Sequence, residues 1–376
     1  MKTFRVLHIL SGMNHGGAEA MIMNYYRNID RNKIQFDFLL TSSKKGAYFD
    51  EVESLGGKIY IISPLTLRTM HLYLRDLNKF FKYYREYIIV HSHTSSKSVF
   101  PLLIAKINNI PVRVCHSHNS KSEGGFKGII RHLLKFPLKF IATDFFACGE
   151  KAAVWLYGRS YVKKQNVKII SNAIDSKKYL FDIEKRKDVR KKFNIENKLV
   201  IGHIGRFNLQ KNHDFLIDIF YEINKKYPDS VLMIIGDGEL RKEIEKKIDT
   251  RMLNDYVILT GPRNDVHELL QAMDIFIFPS LYEGLPVSVI EAQASGLNCI
   301  LSDCITKEAD VTDLISYVSL EECSEKWAEK AIDIINSVNC INRIKYNEIL
   351  CSSPFEINES SKILENFYIE RARKNE

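Results

Sequence analysis

No run in the 376-residue sequence reaches the roughly eighteen apolar residues a membrane-spanning helix needs. The opening MKTFRVLHILSG is followed by no small-residue cleavage site, so it reads as a buried strand and not as a signal peptide. The expected location is the cytoplasm. Cysteine is sparse and scattered: Cys115, Cys148, Cys299, Cys304, Cys323, Cys340 and Cys351 include no C-x-x-C. That excludes a thiolate zinc ribbon and gives no disulfide framework, so the thiols are expected to be reduced and mostly buried. G-x-x-x-x-G-K-[ST] is missing, as is a clean G-x-G-x-x-G, which removes a P-loop and weakens a dinucleotide reading. No recognised nucleic-acid motif accompanies the basic charge.

What is present fits an α/β protein of two domains. Hydrophobic residues make up 45% of the chain and aromatics 11%, too long a chain for one compact core. Apolar, β-rich runs alternate with helical-period segments, the pattern of parallel sheets built from βαβ units. The strand candidates are 4–11, 35–41, 58–63, 87–92, 112–117, 144–148 and 167–171, then 199–204, 231–236, 256–260, 275–279 and 298–302. A charged stretch without strand character, 182–193, lies between the two sets, and the boundary is expected within 175–198. This gives an N-terminal domain over 1–178, a C-terminal domain over 179–355, and a closing helical segment over 356–376 that returns to the first domain. Charge is divided unevenly: residues 1–170 carry a net +15 and the remainder −7. A basic half facing an anionic partner, nucleic acid or a membrane surface, is one reading, and a solvated basic face is the other.

Ligands of open parallel sheets sit beyond the carboxyl ends of the strands, which directs attention to the residues that follow each strand. After the first comes Ser11-Gly-Met-Asn-His-Gly-Gly-Ala-Glu19, with Gly16 and Gly17 at a helix start, either a place where backbone amides are accessible to a ligand or simply a tight turn. His91-Ser-His93 ends the fourth strand and His116-Ser-His118-Asn119 the fifth. Residues two apart in a strand share a face, so either pair presents both rings together, as edge histidines, metal ligands or contacts to a reacting sugar. Gly205-Arg206 through Lys211-Asn212 places two cations at a strand-to-helix turn, either suited to a diphosphate or merely solvated surface charges. Gly236-Asp-Gly238 lets a base or ribose lie against backbone, or simply makes a turn. In Pro279-Ser-Leu-Tyr-Glu283-Gly284-Leu285-Pro286 through Glu291, Pro286 is expected in the first turn of a helix whose amides face an anion. Glu291 then stands on that helix among apolar neighbours, where a carboxylate requires a partner.

The glutamate pair Glu283 and Glu291, in the phrase S-x-x-E-G-x-P-x-x-x-x-E-A-x-A-x-G, resembles the hallmark of retaining glycosyltransferases of family 4, which includes capsule and exopolysaccharide enzymes. G-R-x-x-x-x-K-N at 205–212, G-D-G at 236–238, G-G-A-E at 16–19 and Ile170-Ser-Asn172-Ala-Ile-Asp175 are similar to further motifs of that family, over roughly residues 1–320. Ser171 and Ala173 depart from the proline and glycine usual in the last of these. The resemblance implies the GT-B fold, two Rossmann-like doubly wound parallel-sheet domains facing a central cleft. It implies transfer of a hexose or N-acetylhexosamine from a nucleotide-sugar, with uridine the expected base, to a lipid-linked or polysaccharide acceptor. Glu291 would bind the ribose, Arg206 and Lys211 the diphosphate, and Glu283 the donor sugar as a positioner and not as a nucleophile. Gly17, Gly236, Gly238, Gly284 and Leu285 would complete the donor site. His118 is the first choice for the acceptor-side histidine, with His93, His116 and Asn119 beside it.

No metal and no cofactor is expected, in keeping with the absence of D-x-D. Acceptors of this branch are often lipid diphosphate-linked, which gives the basic first domain an anionic membrane surface as partner and leaves no role for nucleic acid. The docking candidate is 125–140, which mixes basic and bulky apolar residues in the manner of an interfacial helix, the other reading being a buried core helix with solvated lysines, and which is expected to be kinked or ended by Pro137. Alternatives are a nucleotide-sugar epimerase or a degenerate subunit of the same fold, and more remotely a metal-dependent hydrolase using the H-S-H histidines.

Overall fold

The computed structural model describes residues 3–14, 16–42, 44–118, 125–164, 166–337 and 343–375. The chain forms two compact units, Met1–Ala173 with Ile357–Glu376, and Ile174–Glu356.

In the first unit β1 (Phe4–Leu10), β2 (Ile34–Leu40), β3 (Ile59–Ile61), β4 (Ile89–Ser92), β5 (Val112–Ser117), β6 (Asp144–Ala147) and β7 (Lys168–Ile169) make one sheet in the order β3-β2-β1-β4-β5-β6-β7. Every pairing is parallel. The near-continuous apolar character of β1 and β2 follows from helices covering both faces of such a sheet. Register places His8 of β1 beside Phe38 and His91, and His116 of β5 beside Phe146. With a side-chain period of two, His8, His91, His93, His116 and His118 share one face of the sheet with Phe36, Phe38 and Phe146. The helices Gly17–Asn28 and Ile357–Arg373 cover that face, and Tyr25, Tyr26, Phe367 and Tyr368 join its core. The closing helix is held further by an ion pair between Arg371 and the buried Asp144.

The second unit carries β8 (Leu199–Ile204), β9 (Ser230–Ile235), β10 (Val257–Gly261), β11 (Ile275–Phe278), β12 (Asn298–Ser302) and β13 (Ile315–Val318), ordered β10-β9-β8-β11-β12-β13 and again parallel throughout. Its core gathers Phe207, Leu216, Phe220, Ile234, Ile277 and Trp327. The charged stretch 182–193 belongs to this unit: it forms the helix Ile183–Lys192, capped by the Asp182 side chain, which accepts from the amides of Glu184 and Lys185. Arg186 and Arg190 both pair with Asp274, at the start of β11, and so anchor this helix beneath the sheet.

Each sheet has one place where successive strands leave in opposite directions, between β1 and β4 in the first unit and between β8 and β11 in the second. Such switch points open crevices at the carboxyl ends of the strands.

The segment around Pro137 divides into two helices, Gly125–Leu133 and Lys135–Ile141. Proline has no amide hydrogen to give the carbonyl four residues earlier, and the break falls there, with Pro137 inside the first turn of the second helix. No helix among the described residues is long and apolar enough to cross a membrane.

Candidate functional site

In the second unit the residues at the switch point are bound to one another. β8 leads to Gly205 and Arg206, and Lys211 closes a 3-10 turn, Leu209–Lys211, whose amide is received by the Asn208 side chain. Lys211 Nζ lies 2.8 Å from Glu283 Oε1, with both side chains largely buried, and 4.3 Å from the centre of the Phe278 ring. The two loops are stapled: Leu281 donates its amide to Gln210 O, Gln210 Nε2 donates to Tyr282 O, and Asn212 Nδ2 donates to Pro279 O. Asn212 adopts a left-handed conformation (φ 55°), which turns the chain directly into the helix His213–Lys226. Arg206 is exposed and pairs at 3.1 Å with the exposed Glu239.

Pro286 occupies the cap position immediately before the helix Val287–Ala294, one residue earlier than its expected place inside the first turn. Gly284 is half-buried and Leu285 buried just ahead of it. Glu291, partly buried on that helix, receives a 2.7 Å hydrogen bond from the Tyr179 hydroxyl. Burial raises the Glu291 carboxyl above its usual range, and the Tyr179 bond acts in the opposite sense. Tyr179 ends the 3-10 turn Ser176–Tyr179, and nothing in its sequence surroundings marked it as a partner.

Gly236 and Gly238 both lie against the chain's own backbone. A Cβ on Gly236 would stand 2.0 Å from Gly205 O, and one on Gly238 2.4 Å from Phe207 O. On the side a Cβ would take, these glycines admit the backbone of 205–207 and so set the Arg206 loop against β9. A Cβ on Gly17, at the start of the Gly17–Asn28 helix, would meet nothing within 4 Å.

The first unit gathers five imidazoles beside its switch point. His8, His91, His93 and His116 are buried and His118 is half-buried. They form two hydrogen-bonded files: His8 Nδ1 to His93 Nε2 at 3.0 Å and His93 Nδ1 to His118 Nε2 at 2.9 Å, then Tyr368 Oη to His91 Nδ1 at 2.5 Å and His91 Nε2 to His116 Nδ1 at 3.1 Å. Neighbouring rings of the two files stack, His91 on His93 at 4.3 Å between centroids and His116 on His118 at 4.1 Å. Burial pushes every one of these imidazoles below its ordinary range, His8 to about 3 and His118 to about 4. Both H-S-H pairs meet here as their spacing required, and His8 completes the cluster. Its place inside an apolar strand hid it; the signal available was that FRVLHIL carries one polar residue at a position facing the core. Nitrogens of His8, His91 and His93, and of His93, His116 and His118, approach within 4.8 Å of one another, and among the described residues no carboxylate or thiolate joins either group. Asn119 lies outside the described residues.

Two Rossmann-like units, each with polar side chains gathered at a switch point, define the GT-B class of glycosyltransferases. The group 1 glycosyl transferase model matches residues 185–348 and the glycosyltransferase family 4 model residues 15–178, and the chain belongs to this family. It is 39% identical over 330 residues to the putative glycosyltransferase EpsF of Bacillus subtilis, covering 86% of each chain. A UDP-Gal:alpha-D-GlcNAc-diphosphoundecaprenol alpha-1,3-galactosyltransferase of Escherichia coli is 28% identical over 82% of this chain and 84% of its own. CapH of Staphylococcus aureus, a capsular polysaccharide biosynthesis glycosyltransferase, is 28% identical over 98% of this chain and 99% of its own. Among solved structures, HepE of Anabaena in complex with UDP aligns with a TM-score of 0.79 at 17% identity, over 98% of this chain and 100% of its own. The protein is thus a glycosyltransferase of polysaccharide biosynthesis.

Proposed function

We propose that the chain transfers a hexose or N-acetylhexosamine from a UDP-sugar to a lipid diphosphate-linked saccharide, with retention of anomeric configuration and without a metal ion. The observation that carries this reading is the Lys211–Glu283 pair beside the switch point of the second sheet, on loops that also bear Arg206 and lead into the Glu291 helix. Bond breaking places charge on the leaving diphosphate, and fixed cations stabilise that charge more in the transition state than in the ground state. Lys211 and Arg206 serve the diphosphate, Glu291 the ribose hydroxyls, and Glu283 the donor sugar. His118 serves the acceptor side. A UDP complex of the similarly folded HepE and the diphosphoundecaprenol substrate in the E. coli relative's name support donor and acceptor classes.

Titration calorimetry of UDP and GDP in excess chelator tests the donor site. UDP is expected to bind, and Glu291→Ala to weaken it by about tenfold or more, the worth of a hydrogen bond to a charged group. UDP binding that vanishes with the chelator, or a mutant that binds as the wild type does, would refute the assignment.

Membrane attachment has its own surface. On the helices Gly125–Leu133 and Lys135–Ile141, Ile129, Leu133, Phe136 and Phe140 are all 60% or more exposed, and Ile107 of the neighbouring Val99–Ile107 helix is 63% exposed. Lys106 stands beside them, its ammonium on Phe140 O. Bulky apolar side chains with lysines at their margin suit the headgroup boundary of an anionic leaflet. Co-flotation with phosphatidylglycerol vesicles is expected to fall about tenfold or more in the Phe136→Asp, Phe140→Asp double variant, since two phenyl groups lose their apolar burial. Equal flotation of the variant and the parent would remove this surface from the argument.

A further inference from the structure

The Glu291 carboxylate is tethered by one of its two oxygens. The Tyr179 hydroxyl donates to Oε1 at 2.7 Å, and among the described residues Oε2 has no hydrogen-bond partner. An ionised carboxylate accepts at both oxygens, so Oε2 keeps its lone pairs for a further donor. Burial alone favours the acid form of Glu291, in which one oxygen carries a proton; a hydroxyl donated to Oε1 favours the ionised form, which only accepts.

Tyr179 is itself fixed from two directions. Its carbonyl oxygen accepts from Gln271 Nε2 at 3.4 Å, and its ring meets that of His267 edge to face at 6.3 Å, both on the helix Val266–Ala272. Gln271 is buried and is held in turn by the carbonyl of His267 and the amide of Asp182. At the other end of the turn Ser176–Tyr179, the buried Asn347 donates from Nδ2 to Ser176 O at 2.6 Å and to Ala294 O at 2.9 Å. One amide thus joins the start of the Tyr179 turn to the last residue of the helix Val287–Ala294 that carries Glu291.

These contacts decide what the tyrosine hydroxyl does. A glutamate side chain has three rotatable bonds, and a carboxylate free to sample them gives up that freedom on meeting a ligand. A carboxylate already anchored at one oxygen gives up less, which is the gain of preorganisation. Phenylalanine at 179 could make the same ring contact with His267, but it would leave Oε1 without its donor. The hydroxyl therefore acts on Glu291 and not on the packing of the turn.

We propose that Tyr179 is a positioning residue that holds Glu291 by Oε1 so that Oε2 accepts from a ribose hydroxyl, making the site selective for ribonucleoside diphosphates over their deoxy counterparts. This inference rests on the ribose-binding reading of Glu291, and it assigns a role to a side chain that need not touch the nucleotide.

Titration calorimetry of UDP, 2′-deoxy-UDP and 3′-deoxy-UDP on the full chain tests it. The wild type is expected to bind UDP about tenfold or more tighter than at least one deoxy form, because a site built for a hydroxyl leaves its polar group unpaired when that hydroxyl is missing. Tyr179→Phe is expected to weaken UDP by about threefold or more while the disfavoured deoxy form binds as it does to the wild type, so that the ratio narrows. UDP and deoxy forms weakened by one common factor would mark a purely structural role and overturn the proposal. A crystal structure of the wild-type chain with UDP needs no variant to fold: Tyr179 Oη is expected to remain on Oε1 with a ribose hydroxyl on Oε2, and a Tyr179 turned away from Glu291 refutes the inference. If the wild type binds the three nucleotides alike, or none of them, the ribose reading of Glu291 fails and this inference falls with it. A wild-type preference that survives Tyr179→Phe unchanged sinks only the role of Tyr179.

Discussion

Taking the pH from 7 to 5 is expected to destabilise the first unit far more than the second. Five imidazoles of the first unit titrate well below their ordinary range because the folded chain offers the cation no solvent. In the unfolded chain each protonates near pH 6.5. Below that value the unfolded state binds protons that the folded state refuses, so stability present above pH 6.5 is lost as the pH falls towards the folded values of about 3 for His8 and about 4 for His118. One pH unit below 6.5, each ring costs on the order of 1 kcal/mol, and five together reach several kcal/mol, comparable with the whole stability of a domain. In the second unit His203 and His213 are lowered in the same way, but they are only two, and the raised carboxyl of Glu291 works in the opposite direction. Hydrogen exchange followed peptide by peptide at pH 7, 6 and 5 measures this. Protection in β1, β4 and β5 should fall before protection in β8 and β11. Equal loss in both units would show that the rings accept protons within the fold.

The two sheets were legible because a parallel strand covered on both faces leaves a near-continuous apolar run, as in LVIGHI at β8 and SVLMII at β9. β13 was not, since ISYV is short, half-polar and only partly buried at the sheet edge. The glutamate pair and the cations after β8 were visible as spacing, and the structure adds that Lys211 and Glu283 meet. Spacing could not give Tyr179 as the partner of Glu291, 112 residues away in sequence. Nor could it give Tyr368 as the head of an imidazole file, 277 residues from His91. Long-range polar pairs follow from the packing of helices on sheets, which a local pattern does not encode. Gly236 and Gly238 show the reverse case: the pattern marked a close approach, and one approaching group is the chain's own backbone at 205–207.

Lys211→Met is expected to cost the second unit about 3 kcal/mol, because a buried carboxylate loses the cation that offsets its desolvation. Glu283 is 9% exposed and Lys211 15%, so water cannot replace the ammonium cheaply. For a unit of this size the melting temperature should fall by about 8 °C. Adding Glu283→Gln to Lys211→Met removes the charge left behind, and most of the lost stability should return, while on the proposed donor role of Lys211 UDP binding stays weak because the diphosphate still lacks its cation. The two readouts separate what the pair does for folding from what it does for the donor. A Lys211→Met protein that melts with the wild type would mean that Glu283 is already neutralised elsewhere, and double-variant binding equal to wild type would take Lys211 out of the donor site. In the intact protein Glu283 holds the ammonium in place before any ligand arrives. On the proposed donor role, a cation already positioned needs little reorganisation when charge develops on the leaving diphosphate, which is the contribution that fixed electrostatics would make to transfer.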